Sequence, residues 1–196
     1  MMLDTDKSLI DAYIRGDRAA FGELVRRHGG CLLGYLVKMT GNREQAEDFF
    51  QQTFQRVHEK AHTFRGGQFR SWLFTIATRV AIDALRKAKR RPALSLNRPA
   101  ACSDGNCDEL HAALAADCFD PSQCAELAER KELVRRAVDE LPAKQRATLV
   151  LAYYQQLTYP QVAEVLGCST GTVKVQMSRA LRTLAAKLPD VSGIPG

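Results

Sequence analysis

The chain has no apolar run long enough for a transmembrane helix. The longest, Leu149–Tyr154, falls far short of the ~18 residues required. It also lacks a secretion signal: Met1-Met2-Leu3-Asp4-Thr5-Asp6-Lys7 carries acids where such a signal carries bases, and no apolar stretch follows. A cytoplasmic protein without a membrane span is therefore expected, with its six cysteines reduced. No strong two-residue hydrophobic alternation and no hairpin signal occurs, which argues against a sheet. Enzyme motifs are missing too. There is no P-loop, Gly-x-Ser-x-Gly, His-Glu-x-x-His or dinucleotide fingerprint. No catalytic residue and no cofactor is expected. Lys and Arg are wholly absent from residues 101–129, which hold seven acids.

What is present is ordinary in amount and uneven in placement. The 196 residues are 45% hydrophobic and 26% charged, which suits one or two globular domains. Net charge is +6 overall. Residues 1–100 hold 18 bases against 10 acids, and residues 130–196 hold 10 against 5. Two basic blocks thus flank one acidic block. Basic blocks suit a polyanion such as nucleic acid, and binding of that kind weakens steeply with salt. Two solvated faces would look the same in charge alone.

Nearly every segment has helical period. Asp17 stands as an N-cap before Phe21, Leu24, Val25 and His28. A second stripe, Leu32, Tyr35, Leu36 and Met39, stops at Gly41-Asn42. A third runs from Ala46 through Phe49, Phe50, Thr53 and Phe54 to Val57. A fourth runs from Phe69 through Trp72, Leu73, Ile76 and Val80 to Leu85, ends in basic residues and meets Pro92. Residues 92–124 are richer in Pro, Ser, Asn and Asp and read as a linker, with a short helix near Glu109–Ala116. Helical pattern resumes near Ala125, and Pro142 suits a helix start.

Two shorter helices close the chain. Thr158 and Gln161 have capping-box spacing, Gly167 ends the first helix, and Ser169 caps the second. A helix, a Gly-containing turn, a Ser cap and then a helix bearing Thr170, Thr172, Lys174, Gln176 and Arg179 read as a helix-turn-helix. Its alternative is a helical hairpin with a polar face. The fourth stripe combines aromatics with a basic end, a pairing that binds single-stranded DNA, although Trp72 with Ile76 also reads as core. Cys102, Cys107, Cys118 and Cys124, with His111, are candidate thiols for zinc or redox chemistry. Their spacing is looser than in zinc ribbons, so plain thiols are expected and no metal. His58 and His62 have i, i+4 spacing and are read as a solvated pair.

These residues carry a family resemblance. Ala46-Glu47-Asp48-Phe49-Phe50-Gln51-Gln52-Thr53-Phe54 resembles the polymerase-binding helix of bacterial ECF (extracytoplasmic function) sigma factors. Phe69–Ala77 and Ala81–Arg86 resemble their promoter-melting helix. Leu141-Pro142-Ala143-Lys144-Gln145-Arg146, Tyr153-Tyr154, Leu157-Thr158-Tyr159 and Gly171-Thr172-Val173-Lys174 resemble their fourth region.

The resemblance implies an all-α protein of two small helical domains joined by a flexible linker. Residues 1–91 would bind core RNA polymerase and the −10 promoter element, 92–124 form the acidic linker, 125–188 read the −35 element, and 189–196 form a tail. Glu47, Asp48, Gln51 and Gln52 would face polymerase. Arg70, Thr75, Thr78, Arg79, Asp83, Arg86 and Lys87 would lie near −10 DNA. Thr158, Ser169, Thr170, Thr172, Lys174, Gln176 and Arg179 would meet the −35 duplex. The implied partners are core RNA polymerase, promoter DNA and an anti-sigma factor. This chain departs from the family pattern at Thr78-Arg79, where Arg-Asn is usual, at Val175-Gln176, where Ser-Arg is usual, and at His58, near which a Trp is usual. A free-standing helix-turn-helix regulator and a protein-only decoy of polymerase are the competing classes.

Overall fold

In the computed structural model, residues 5–90 and 121–188 are described, with side chains for 5–88 and 129–188. The described residues contain helices and turns and no strand. Helices α1 (Asp6–Ile14), α2 (Arg18–Thr40), α3 (Arg43–Lys60) and α4 (Phe69–Arg90) form the first half, with a 3₁₀ turn at Ala61–Thr63. The second half holds α5 (Pro121–Asp139), α6 (Ala143–Leu149), α7 (Tyr159–Leu166) and α8 (Thr170–Lys187).

Local chemistry accounts for most of the helix ends. Asp17 accepts from the Ala19 amide at 2.9 Å, and Asn42 from Gln45 at 3.0 Å. Each satisfies an amide that has no partner inside its helix. Gly41 closes α2 at φ 68°, a conformation that costs little only without a Cβ. The two apolar stripes expected across residues 21–39 form one helix of 23 residues. Gly29 does not break it, because its bare backbone lies against the Phe50 ring, where packing outweighs propensity. The second half begins helical at Pro121 rather than near Ala125. Proline at a first helical position loses no intrahelical bond there.

The first half buries Leu24, Leu32, Tyr35, Leu36, Val57 and Leu73 completely. In the second half, Val138, Leu141, Leu149, Met177 and Ala180 form one cluster. Val150, Leu151, Leu157, Val162 and Val173 instead join the apolar cluster of the first half. The two halves therefore share a core.

Polar contacts reinforce that junction. Arg146 on α6 is 7% exposed. It donates to the carbonyl of Met39, near the C-terminal end of α2, at 2.6 Å, and to those of Asp139 and Leu141. Desolvation pulls its guanidinium below the ordinary value, and the Asp139 carboxylate pulls the other way. Asp139 also crowds Gly41: a Cβ there would stand 2.9 Å from Asp139 Oδ2. Lys38 lies over the Tyr154 ring at 4.3 Å.

After Leu149 the chain widens into a π-helical stretch, Val150–Tyr154, closed by the Gln155 amide donating to Val150 at 3.1 Å. Such a widened turn changes the direction of the residues after it. Gln155 is thereby delivered, 4% exposed, into the junction between the halves.

Candidate nucleic-acid interface

Helix α3 presents one polar face. Ala46, Phe49, Thr53, Phe54 and Val57 are its buried side. Glu47, Asp48, Gln51 and Gln52 are all exposed on the other. At about 100° per residue they span about 140° of the helix. Gln55 and Glu44 share this exposed arc and were missed in the sequence, although Gln55 stands four residues after Gln51. Arg43 pairs with Glu47 at 3.0 Å.

Helix α4 is buried on most of its circumference and open along one stripe. Trp72 and Thr75 are half-buried there, and Arg79, Asp83, Arg86 and Lys87 are exposed. Trp72 packs against Phe64 and Phe69 with centroids at 5.3 and 5.8 Å, so it is neither wholly core nor wholly surface. Thr75 donates its hydroxyl to the Ser71 carbonyl at 2.8 Å.

Two residues expected in this row are placed elsewhere. Thr78 is 2% exposed and shares a hydrogen bond with the buried Tyr35 hydroxyl at 2.7 Å. Burial pushes that phenol above its ordinary value, which keeps it a neutral partner for Thr78. Arg70 precedes Arg79 by nine residues, about two and a half turns, and so points to the opposite side. Its guanidinium donates to the Gln155 carbonyl at 2.9 Å and to Gln155 Oε1 at 3.1 Å. Gln155 Nε2 reaches on to the Cys31 carbonyl at 3.4 Å. Arg70 thus serves the junction between the halves. No periodicity could have shown this, because its partner is 85 residues away.

The helix-turn-helix forms as the caps foretold. The Thr158 amide donates to Gln161 Oε1 at 2.9 Å, and Gly167 takes φ 62°. Ser169 Oγ accepts from the Thr172 amide at 3.1 Å. Thr158, Ser169, Thr170, Thr172, Lys174 and Arg179 are exposed, and Gln176 is half-buried on the flank. Arg182, not singled out in the sequence, lies one turn beyond Arg179 on the same outward face. Gln161 also donates to Gln68 Oε1 at 2.7 Å, tying α7 to the start of α4.

Other candidates are less informative. His58 meets the Tyr13 hydroxyl and lies edge-on to Phe21, while His62 is exposed in the next turn. Among the described residues, no group of three or more His, Cys, Asp or Glu side chains is placed to hold a metal. Cys102, Cys107, His111 and Cys118 lie outside the described residues, as do the side chain of Cys124 and the helix expected near Glu109–Ala116. Among the described residues, no helix is long and apolar enough to cross a membrane.

Comparison with known proteins follows the same division of the chain. Residues 24–91 match the family described as Sigma-70 region 2, and residues 131–184 match Sigma-70, region 4. The chain is 32% identical over 185 residues to the ECF RNA polymerase sigma factor SigM of Mycobacterium tuberculosis, covering 94% of this chain and 85% of the relative. It is 29% identical over 186 residues to SigW of Bacillus subtilis, covering 94% and 97%. Among solved structures it is similar to CnrH in complex with the cytosolic domain of CnrY. That match has TM-score 0.65 and 25% identity and covers 96% and 99% of the two chains. It also shares the fold of the sigma factor RpoE of Bartonella quintana, solved with the anti-sigma factor NepR, at TM-score 0.62 and 22% identity over 87% and 97%.

Proposed function

Because the chain belongs to the ECF family of RNA polymerase sigma factors, we propose that its three exposed polar faces divide the work of promoter-directed initiation. Its function is that of a promoter-directing sigma factor. The family consists of transcription initiation factors, not catalytic enzymes. The bond-forming chemistry of RNA synthesis then belongs to the polymerase, and the protein works beside it in the cytoplasm.

The assignments follow the faces. Residues 1–91 form the domain that binds core RNA polymerase and the −10 element. The acid and amide face of α3, with Glu47, Asp48, Gln51 and Gln52, docks on polymerase. The open stripe of α4, with Thr75, Arg79, Asp83, Arg86 and Lys87, lies along −10 DNA. Residues 125–188 form the −35 domain. There Thr158, Ser169, Thr170, Thr172, Lys174, Gln176 and Arg179 meet the duplex, and the helix N-terminus adds amides suited to phosphate. The acidic segment 92–124 connects the two. An anti-sigma factor is the further expected partner, of the kind that RpoE binds in its complex with the anti-sigma factor NepR.

One observation carries this reading over a free-standing regulator. The chain bears, besides two DNA-type faces, a third exposed face of acids and amides on α3. A regulator that bound duplex DNA alone would have no use for it. Run-off transcription with purified bacterial core polymerase on a promoter-fragment library tests the reading. New transcripts are expected with the protein and should vanish with Asp48→Arg. Duplex binding without polymerase, and no transcript, would move the assignment to the regulator.

A further inference from the structure

Val175 stands at the centre of the outward face of α8. The inward side chains Val173, Met177 and Ala180 are buried. At about 100° per residue they centre on a direction nearly opposite Val175. Val175 itself is 48% exposed. Thr172, Arg179 and Arg182 surround it on the same face, all exposed.

The chemistry of that face is selective. Leu181, the other large exposed apolar side chain of α8, lies about 120° round the helix. Val175 is therefore a single branched apolar group among hydroxyls and cations, not part of a broad apolar patch. A docking face for a protein would extend the apolar area. A major groove fits the isolated group better. There the one apolar group on a base edge is the 5-methyl of thymine, and phosphates line both sides.

Gly171, one turn before Val175, adds an independent sign. A Cβ at Gly171 would meet only Ser169 Oγ, at 3.7 Å. Packing within the protein does not require the glycine, and glycine weakens a helix. What it leaves clear is the space beside Val175.

We propose that Val175 is a specificity residue for the −35 element, packing its methyl groups against the 5-methyl of one thymine while Arg179 and Arg182 hold the flanking backbone. The proposal rests on the reading of α7 and α8 as the −35 domain. It also gives the departure from the family pattern at this position a consequence: an apolar contact where serine would offer a hydroxyl.

The test uses the whole protein with core polymerase. Promoter fragments are first selected by the holoenzyme from a library randomised across the −35 region. Each thymine of the selected −35 sequence is then replaced singly by deoxyuridine, which removes only the methyl group. At one position the holoenzyme should bind about fourfold more weakly, the worth of one buried methyl. Val175→Ser should bind the thymine and uridine fragments equally at that position and should relax selection for thymine there. Circular dichroism checks that the variant folds, and the uridine scan on the unaltered protein stands without it. Equal binding of thymine and deoxyuridine at every position would overturn the proposal and leave Val175 to a protein partner. Failure of the unaltered protein to select any promoter would overturn the sigma reading itself, and this proposal with it.

Discussion

Joining Gln68 to Gln161 by a short cleavable cross-link should abolish promoter-directed initiation, because the two reading helices would then be too close together. Helix α4 packs on α7, and α7 on α8. Axes of packed helices lie ~8–10 Å apart, which puts the α4 and α8 axes within about 20 Å of each other. Adding the whole length of α4, 22 residues or about 33 Å, extends the reach to about 50 Å. The −10 and −35 elements are centred about 25 base pairs apart, or about 85 Å at ~3.4 Å per pair. The halves must therefore separate for one chain to read both. The 30 residues between Arg90 and Pro121 span about 100 Å when fully extended, so the connection permits it. The side-chain amides of Gln68 and Gln161 meet at 2.7 Å, which makes the pair suitable for Gln68→Cys and Gln161→Cys. The six native cysteines would be replaced by serine, and a bis-maleimide with a central disulfide would close the pair. Run-off transcription should fall to the level seen without the protein and return when the linker is reduced. Equal transcription from the closed and reduced forms would refute the distance argument.

Three further outcomes follow from the packing and the charges. Arg146→Met strips the buried guanidinium from the carbonyls of Met39, Asp139 and Leu141, and leaving such acceptors buried and unpaired costs about 3 kcal/mol; the thermal midpoint should fall by about 10 °C, and a midpoint unchanged in a melting curve would contradict the assigned contacts. Arg79→Ala should weaken holoenzyme binding to promoter about tenfold, the worth of a charge-assisted hydrogen bond, whereas Thr78→Val, which leaves the buried Tyr35 hydroxyl unpaired, should lower the thermal midpoint and leave promoter binding by the folded protein unchanged; a loss of binding by folded Thr78→Val would return that residue to the DNA face. Hydrogen bonds from Arg26 and Arg27 hold the Glu23 carboxyl down at about 2, and those from Arg135 and Arg136 do the same for Glu132. Both lie below the unfolded value, so their contribution is complete above about 4.5 and is lost as pH falls from there toward 2. Helicity followed by circular dichroism should fall in that window, and Glu23→Gln with Glu132→Gln should flatten the fall.

The amino-acid sequence by itself determined the helical class, most helix ends and the helix-turn-helix. These are local matters. A cap such as Asp17 or Ser169 bonds an amide two or three residues away, and Gly41 and Gly167 allow the left-handed turns where they stand. The exposed arc of α3 was legible for the same reason, since its buried side recurs with the helical period. Tertiary structure decided what α4 does. That helix is covered on most of its circumference, so its pattern of apolar residues does not say which polar side chains face outward. Thr78 turned in because Tyr35 of α2 offers it a partner, and Arg70 turned to the second half because the widened turn after Leu149 brings Gln155 there. Both partners are far off in the chain. Only the packing of α2, α4 and α6 brings them within bonding distance, and one helix's periodicity carries no record of that.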